Sequence, residues 1–273
     1  MAVRFFVFFQ PAEENFCGAK MLFEQSTLDL SAIKGTAACH MMPDLYAGDV
    51  GLQQGTILAS ADSFDLVVTG RSGHGAHPYT AVEPVAASAL LIEALQQLVS
   101  REVSALDAAV ISICSLHTNS DAWNIIPEQL AMRGTLRALK QSTRMYLQQR
   151  MRAVCAGVEQ SQRVHCELVF HEGPPALVND RYWVQRVEVA LRAILGEKHI
   201  RQLDCVTMGA EDFAYIRAQY PGIFVRIGCR TPGQDFTPIH SSAFRVDRRA
   251  LQTGMLTLTA IAKDFFAGGV ACE

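Results

Sequence analysis

Two adjacent carboxylates, Glu13 and Glu14, have the residue types and setting to do chemistry. They follow Gln10-Pro11 at the end of an apolar run made of Val3 and Phe5 to Phe9, broken only by Arg4. Such a run suits a parallel strand covered on both faces, and Gln10-Pro11 disfavours its continuation. Open α/β sheets bind ligands just past the carboxyl ends of their strands, which is where this pair falls. Neighbouring acids on a turn point different ways, so one can hold a cation while the other handles a proton on bound water. A solvated glutamate pair is the plain alternative. His40 lies near the carboxyl end of a second short apolar strand, Gly35 to Met42, closed by Pro43. It reads either as a ligand at the same rim or as a satisfied core histidine. Cys39 beside it invites a thiol nucleophile, but strand neighbours face opposite sides and cannot pair with each other.

The elements that must position these groups come from a chain of 273 residues, enough for one large domain or two smaller ones. Hydrophobic residues at 49% against charged residues at 19% exclude a disordered chain. A net charge of −3, with no Lys/Arg run beyond a pair, makes nucleic acid and anionic membrane poor partners. No stretch has the apolar length of a membrane span. The apolar core after Arg4 is too short for a signal peptide, and Pro11-Ala12-Glu13-Glu14 is no cleavage region. The eight cysteines include no Cys-x-x-Cys pair, so reduced, mostly buried thiols in a cytoplasmic protein are expected.

Along the chain, residues 21 to 34 read as the rest of a helix and a connection. Ser63 to Gly70 alternates as a strand, with Phe64, Leu66 and Val68 on one face. Val82, Val85, Ala89, Ile92 and Leu95 then recur at helical spacing. Strands follow at Ala108 to Leu116 and Gln129 to Ala138. Leu147, Met151, Val154, Cys155 and Val158 mark a helix, and Val164, Cys166, Leu168 and Phe170 a closing strand. The order β-α-β-β-α-β is that of the split ferredoxin-like unit, a sheet covered by helices on one side. Residues 63–172 are therefore expected as a domain inserted between 1–62 and 173–273. The later segment holds a helix from Asp180 to the stop at Gly196, a short helix opened by Met208 to Phe213, and a buried strand from Gly222 to Gly228. A last helix from Asp247 carries Leu251, Met255, Leu258, Ala262 and Phe265 on one stripe.

Six short motifs occur in order: Gln10-Pro11-Ala12-Glu13-Glu14, His40-x-x-Pro43, Gly73-His74-Gly75-Ala76-His77-Pro78, Asn124-Ile125-Ile126-Pro127, Met208-Gly209-Ala210-Glu211-Asp212-Phe213 and His240-Ser241. With them the chain resembles, from about Val3 to Phe266, the metal-dependent aminoacylase/carboxypeptidase family of metallopeptidases. The branch is that of the N-acyl-amino-acid amidohydrolases, with the hippurate and auxin-conjugate hydrolases. The resemblance implies an α/β fold, with a mostly parallel-sheet catalytic domain and an inserted ferredoxin-like lid that also dimerises. It implies that Glu13 is the general base and that Glu14, His40 and His240 are ligands of a divalent zinc or manganese ion. His74 corresponds to a lid histidine that stabilises the oxyanion, in family dimers reaching the partner's site. Asn124 corresponds to a substrate-binding residue. Arg133 or Arg137 would hold a substrate carboxylate, or both are solvated strand residues. Trp123 and lid aliphatics would line an acyl pocket, or are ordinary core.

The family also carries an earlier portion of catalytic domain, with an Asp on a strand and a Cys-Gly-His-Asp motif that supply further ligands. Neither that motif nor room for it ahead of Gln10 is present in the 273 residues, so an N-terminally truncated catalytic domain is expected. Ser242 stands where the family usually has proline. The implied partners are a small N-acyl amino acid and a second copy of the chain, with one metal ion or none bound. A non-catalytic remnant that dimerises and binds ligand is the alternative.

Overall fold

The computed structural model describes residues 4–25, 29–31 and 33–267. Val3, Cys272 and positions 26–28 and 32 of the expected connection lie outside them. The cysteines are not mostly buried as expected: of the seven described, Cys155 and Cys229 are buried, while Cys114 and Cys205 are exposed. The strands are β1 (Thr36–Tyr46), β2 (Val50–Leu52), β3 (Gly55–Leu58), β4 (Ser60–Thr69), β5 (Gly73–His74), β6 (Ala109–Thr118), β7 (Ile125–Ile126), β8 (Gln129–Ala138), β9 (His165–His171), β10 (Leu177–Asn179), β11 (Ile200–Gln202) and β12 (Gly222–Arg230). The helices are α1 (Gly18–Gln25), α2 (Pro84–Gln97), α3 (Gln141–Gln162), α4 (Arg181–Leu195), α5 (Phe213–Gln219) and α6 (Arg249–Ala267). Two compact units emerge: Met1–Ile57 with Leu177–Val206 and Glu211–Glu273, and Leu58–Ala176 with Thr207–Ala210.

The first unit is built on a sheet of order β1-β12-β2-β11. β1 runs parallel to β12 and β11 parallel to β2, while β12 and β2 are antiparallel. β12 is buried along its length up to Cys229, as an apolar strand covered on both faces should be. Val50, Leu52, Ile223, Val225 and Ile227 pack with Trp183, Val187 and Leu191 of α4. Asp180 starts α4 by accepting the Tyr182 and Trp183 N–H groups at 2.8 and 3.3 Å. Gly196, at φ 82°, ends it.

Pro43 does not close its strand, because β1 runs on to Tyr46 at the sheet edge after a register shift past Met42, and two further expectations for this unit fail. Phe5 to Phe9 form no strand and lie open, with Phe9 91% exposed. A strand needs hydrogen-bonding neighbours, and among the described residues none pairs with this run; β1 stands at the sheet edge. In α6 the stripe of Leu251, Met255 and Leu258 faces outward. Ala250, Thr253, Thr257, Ala260 and Ile261 are buried instead. Small residues let α6 approach closely, and Phe265 closes the contact by stacking on Trp183 at 4.8 Å.

The second unit has an antiparallel sheet of order β6-β8-β4-β9, the ferredoxin-like arrangement, with α2 and α3 in its core. Phe64, Leu66 and Val68 alternate inward and meet Leu130, Met132 and Leu136 of β8. α3 buries Leu147, Met151, Cys155 and Val158. α2 buries Pro84, Ala87, Ser88, Leu91 and Leu95, a face rotated from the expected one, with Val85 turned outward. Asp62 at the start of β4 is buried and receives the Arg144 guanidinium, with Nε at 2.8 Å. It also accepts Gln148 Nε2 at 2.8 Å and the Gly173 N–H at 3.1 Å. Arg144→Met is expected to destabilise the protein by about 3–5 kcal/mol, because it strands a buried charge. Urea unfolding should show a smaller loss when Asp62→Leu is combined with it.

Candidate active site

The Glu13-Glu14 turn is a single 3-10 turn, Glu13–Asn15, bracketed by Ala12 at φ 54° and Phe16 at φ 53°. Both brackets are left-handed, a conformation that costs a non-glycine residue on the order of 1–3 kcal/mol. Phe16 N–H donates to the Glu13 carbonyl at 2.7 Å and closes the turn. The chain then doubles back so tightly that a Cβ at Gly18 would lie 1.6 Å from the Pro11 carbonyl oxygen. Only glycine fits there.

Against this turn stands the segment opening α5. Glu211 and Asp212 are buried, at 7% and 0% exposure. One carboxylate oxygen from each of Glu13, Glu211 and Asp212 lies within 4.8 Å of the others. Burial raises the Glu13 carboxyl above its usual range, reinforced by the charges of Glu14 and Asp212 and opposed by a hydrogen bond from the Asp212 backbone. Burial also pushes Glu211 up to about 7, with Glu13 the next cause. A shared proton or a cation relieves such a cluster. These two acids have no assigned role in the sequence reading, although they sit in a quoted motif. An acid pair directly ahead of a short helix was the available signal.

The proposed ligands are partly assembled. His240 Nε2 lies 3.4 Å from Glu14 Oε1, and both side chains are largely exposed. His40 donates Nδ1–H to the Met41 carbonyl at 2.8 Å, which leaves Nε2 with its lone pair, the tautomer a metal ligand needs. Among the described residues, however, Glu14, His40 and His240 do not form a set within common ligating distance; Glu13, Glu211 and Asp212 do.

The remaining candidates belong to the second unit. His74 accepts the Ala76 N–H on Nδ1 at 3.1 Å, so in its neutral form Nε2 carries the hydrogen and can donate. Asn124 lies beside it, its carbonyl receiving the Gly75 N–H at 2.8 Å. Arg137 is half-buried and donates to the Met208 carbonyl at 2.8 Å, whereas Arg133 pairs with Asp65 at 2.9 Å. Trp123 is 96% exposed, so it is not core.

Most of the chain is similar to known proteins. The model of peptidase family M20/M25/M40 matches residues 2–264. An N-acetylcysteine deacetylase of Bacillus subtilis is 35% identical over 245 residues, 89% of this chain and 61% of that protein. An IAA-amino acid hydrolase of Arabidopsis thaliana is 32% identical over 251 residues, 90% of this chain and 56% of that one. The crystal structure of the Bacillus subtilis YXEP protein, described as a dinuclear metal-binding peptidase, superposes with TM-score 0.74 at 27% identity, covering 93% of this chain and 63% of that one. The chain thus spans about three fifths of the length of the curated relatives it matches.

The acid cluster carries a pH dependence. The folded chain holds a proton on Glu211 up to about 7, while the unfolded chain releases it near the ordinary 4.5. Folding binds that proton, so stability is full below 4.5 and falls as pH rises through about 7. In chelator-containing buffer, Glu211→Gln is expected to flatten this decline and gain about 2–3 kcal/mol at alkaline pH, read by urea titration.

Proposed function

The chain belongs to peptidase family M20/M25/M40, and from that premise we propose that it is a metal-dependent amidohydrolase cleaving the amide bond of N-acyl amino acids. One observation carries the reading: a single strained turn presents Glu13 toward a buried acid cluster and Glu14 toward His240. The carboxylate and imidazole donors fit a divalent zinc or manganese ion. Glu14 and His240 would hold it, with His40 the further ligand. Such an ion supplies Lewis acidity toward water and the amide carbonyl.

The chain's own groups do the rest. Glu13 is the general base, and burial raises its affinity for a proton above that of a free glutamate, the direction that favours a base. It takes the proton of the attacking water and returns one to the leaving amine. His74 donates from Nε2 to the developing oxyanion, while Asn124 and Arg137 bind the substrate. In this reading 1–62 and 173–273 form the catalytic domain and 63–172 a lid. The open edges β6 and β9 suit a homodimer joined through the lid. The free thiols of the seven described cysteines favour the cytoplasm. Among the described residues no helix is long and apolar enough to cross a membrane.

A second reading, a dimerising ligand-binding protein without turnover, is favoured by one observation: Glu14 and His240 are 76% and 73% exposed at the side chain. Elemental analysis and hydrolysis of N-acetyl and N-benzoyl amino acids separate the two. The hydrolase reading expects bound metal that disappears in Glu14→Ala. It also expects turnover that drops about 10²–10⁴-fold in Glu13→Gln. A chain with neither metal nor turnover is the binding protein. Sedimentation should give a dimer; a fully active monomer would remove His74 from service in a partner's site.

A further inference from the structure

The turn carrying Glu13 and Glu14 has no strand ladder to hold it. Residues 4–12 have no regular structure, and the turn is bracketed by two left-handed non-glycine residues. Such backbone persists only where its surroundings over-determine it. Its internal bonds, Asn15 to Ala12 and Phe16 to Glu13, close the turn but do not anchor it. The anchor comes from far along the chain. Asp212 is fully buried, and its Oδ2 accepts the Ala19 N–H at 2.9 Å. Its other oxygen, Oδ1, accepts Gln10 Nε2. Gln10 lies before the turn and Ala19 after it, so one carboxylate holds both ends. The backbone N–H of the same residue also favours the ionised Glu13 carboxylate.

We propose that Asp212 is the positioning residue of the Glu13-Glu14 turn, acting through Gln10 and Ala19. Hydrogen bonds to a buried carboxylate are stronger than neutral ones, and breaking them leaves an unpaired acceptor. The restraint stands on these contacts alone; its catalytic consequence rests on reading Glu13 as the base.

Hydrogen exchange of the full chain, followed by mass spectrometry on peptides covering residues 10–20, tests the restraint without substrate or metal. Asp212→Ala is expected to speed exchange there by about tenfold or more. Asp212→Asn should restore most of the protection, because its Oδ1 can accept from Ala19 while its Nδ2 donates to the turned-over Gln10 amide. Gln10→Leu removes one tether at a half-buried, non-helical position. It should loosen the segment with the melting temperature unchanged, which keeps the test alive if Asp212→Ala fails to fold.

Unchanged exchange in Gln10→Leu and Asp212→Ala would overturn the proposal. So would an Asp212→Asn chain as loose as Asp212→Ala, which would mean that charge, not hydrogen bonding, is what the site requires. In an active chain, Asp212→Ala should lower kcat with little change in KM, and Asp212→Asn should recover it. An inactive wild type with the predicted exchange pattern would sink the hydrolase reading and uphold the restraint. An active one with unaltered exchange does the reverse.

Discussion

A carboxylate removed from water must collect donors or a counter-charge, because leaving it bare costs more than most single contacts return. Each unit of this protein offers a clear case of that rule. Asp212 draws together Gln10, Ala19 and the start of α5, residues separated by about two hundred positions. Asp62 draws together Arg144, Gln148 and Gly173 where β4 begins. Asp212 ties down chain that lacks a ladder of its own, and Asp62 ties the Gly173 loop to β4 and α3. The apolar cores give each unit its bulk, and these two groups fasten the segments around Gln10 and Gly173.

The same rule explains why the candidate site is chemically loaded. Asp212 is well supplied with donors, whereas Glu13 and Glu211 share its surroundings with fewer of their own. Burial and mutual repulsion therefore favour their protonated forms. Glu13 stands between this cluster and the exposed Glu14–His240 pair, so one turn joins a group that wants a proton to a pair suited to a cation. That juxtaposition is the basis of the hydrolytic reading.

Apolar surface is distributed less predictably. Phe5 to Phe9 and the Leu251, Met255 and Leu258 stripe of α6 face outward, while threonines and alanines of α6 face the core. A close helix-to-helix approach admits small side chains, and the stacked Trp183 and Phe265 rings occupy the remaining space. Hydrophobic periodicity locates a helix reliably, but it does not say which of two neighbouring stripes the packing partner will accept. The rotated face of α2 repeats the lesson.

Much of the architecture was legible in the residues alone. The alternation in β4, β8 and β9 and the stripe in α3 defined the ferredoxin-like unit, and the mostly apolar β12, interrupted at Arg226, marked a strand buried on both faces. The adjacency of Glu13 and Glu14 and the histidines at 40, 74 and 240 were legible for the same reason: local pattern and residue type are properties of short stretches. Tertiary structure alone decided that Glu13 meets Glu211 and Asp212 and that Phe5 to Phe9 stay unpaired, whereas the nearness of His240 to Glu14 was implied by the family resemblance. Those facts depend on which distant segments supply donors, neighbours or charge. No short-range pattern encodes a partner two hundred residues away.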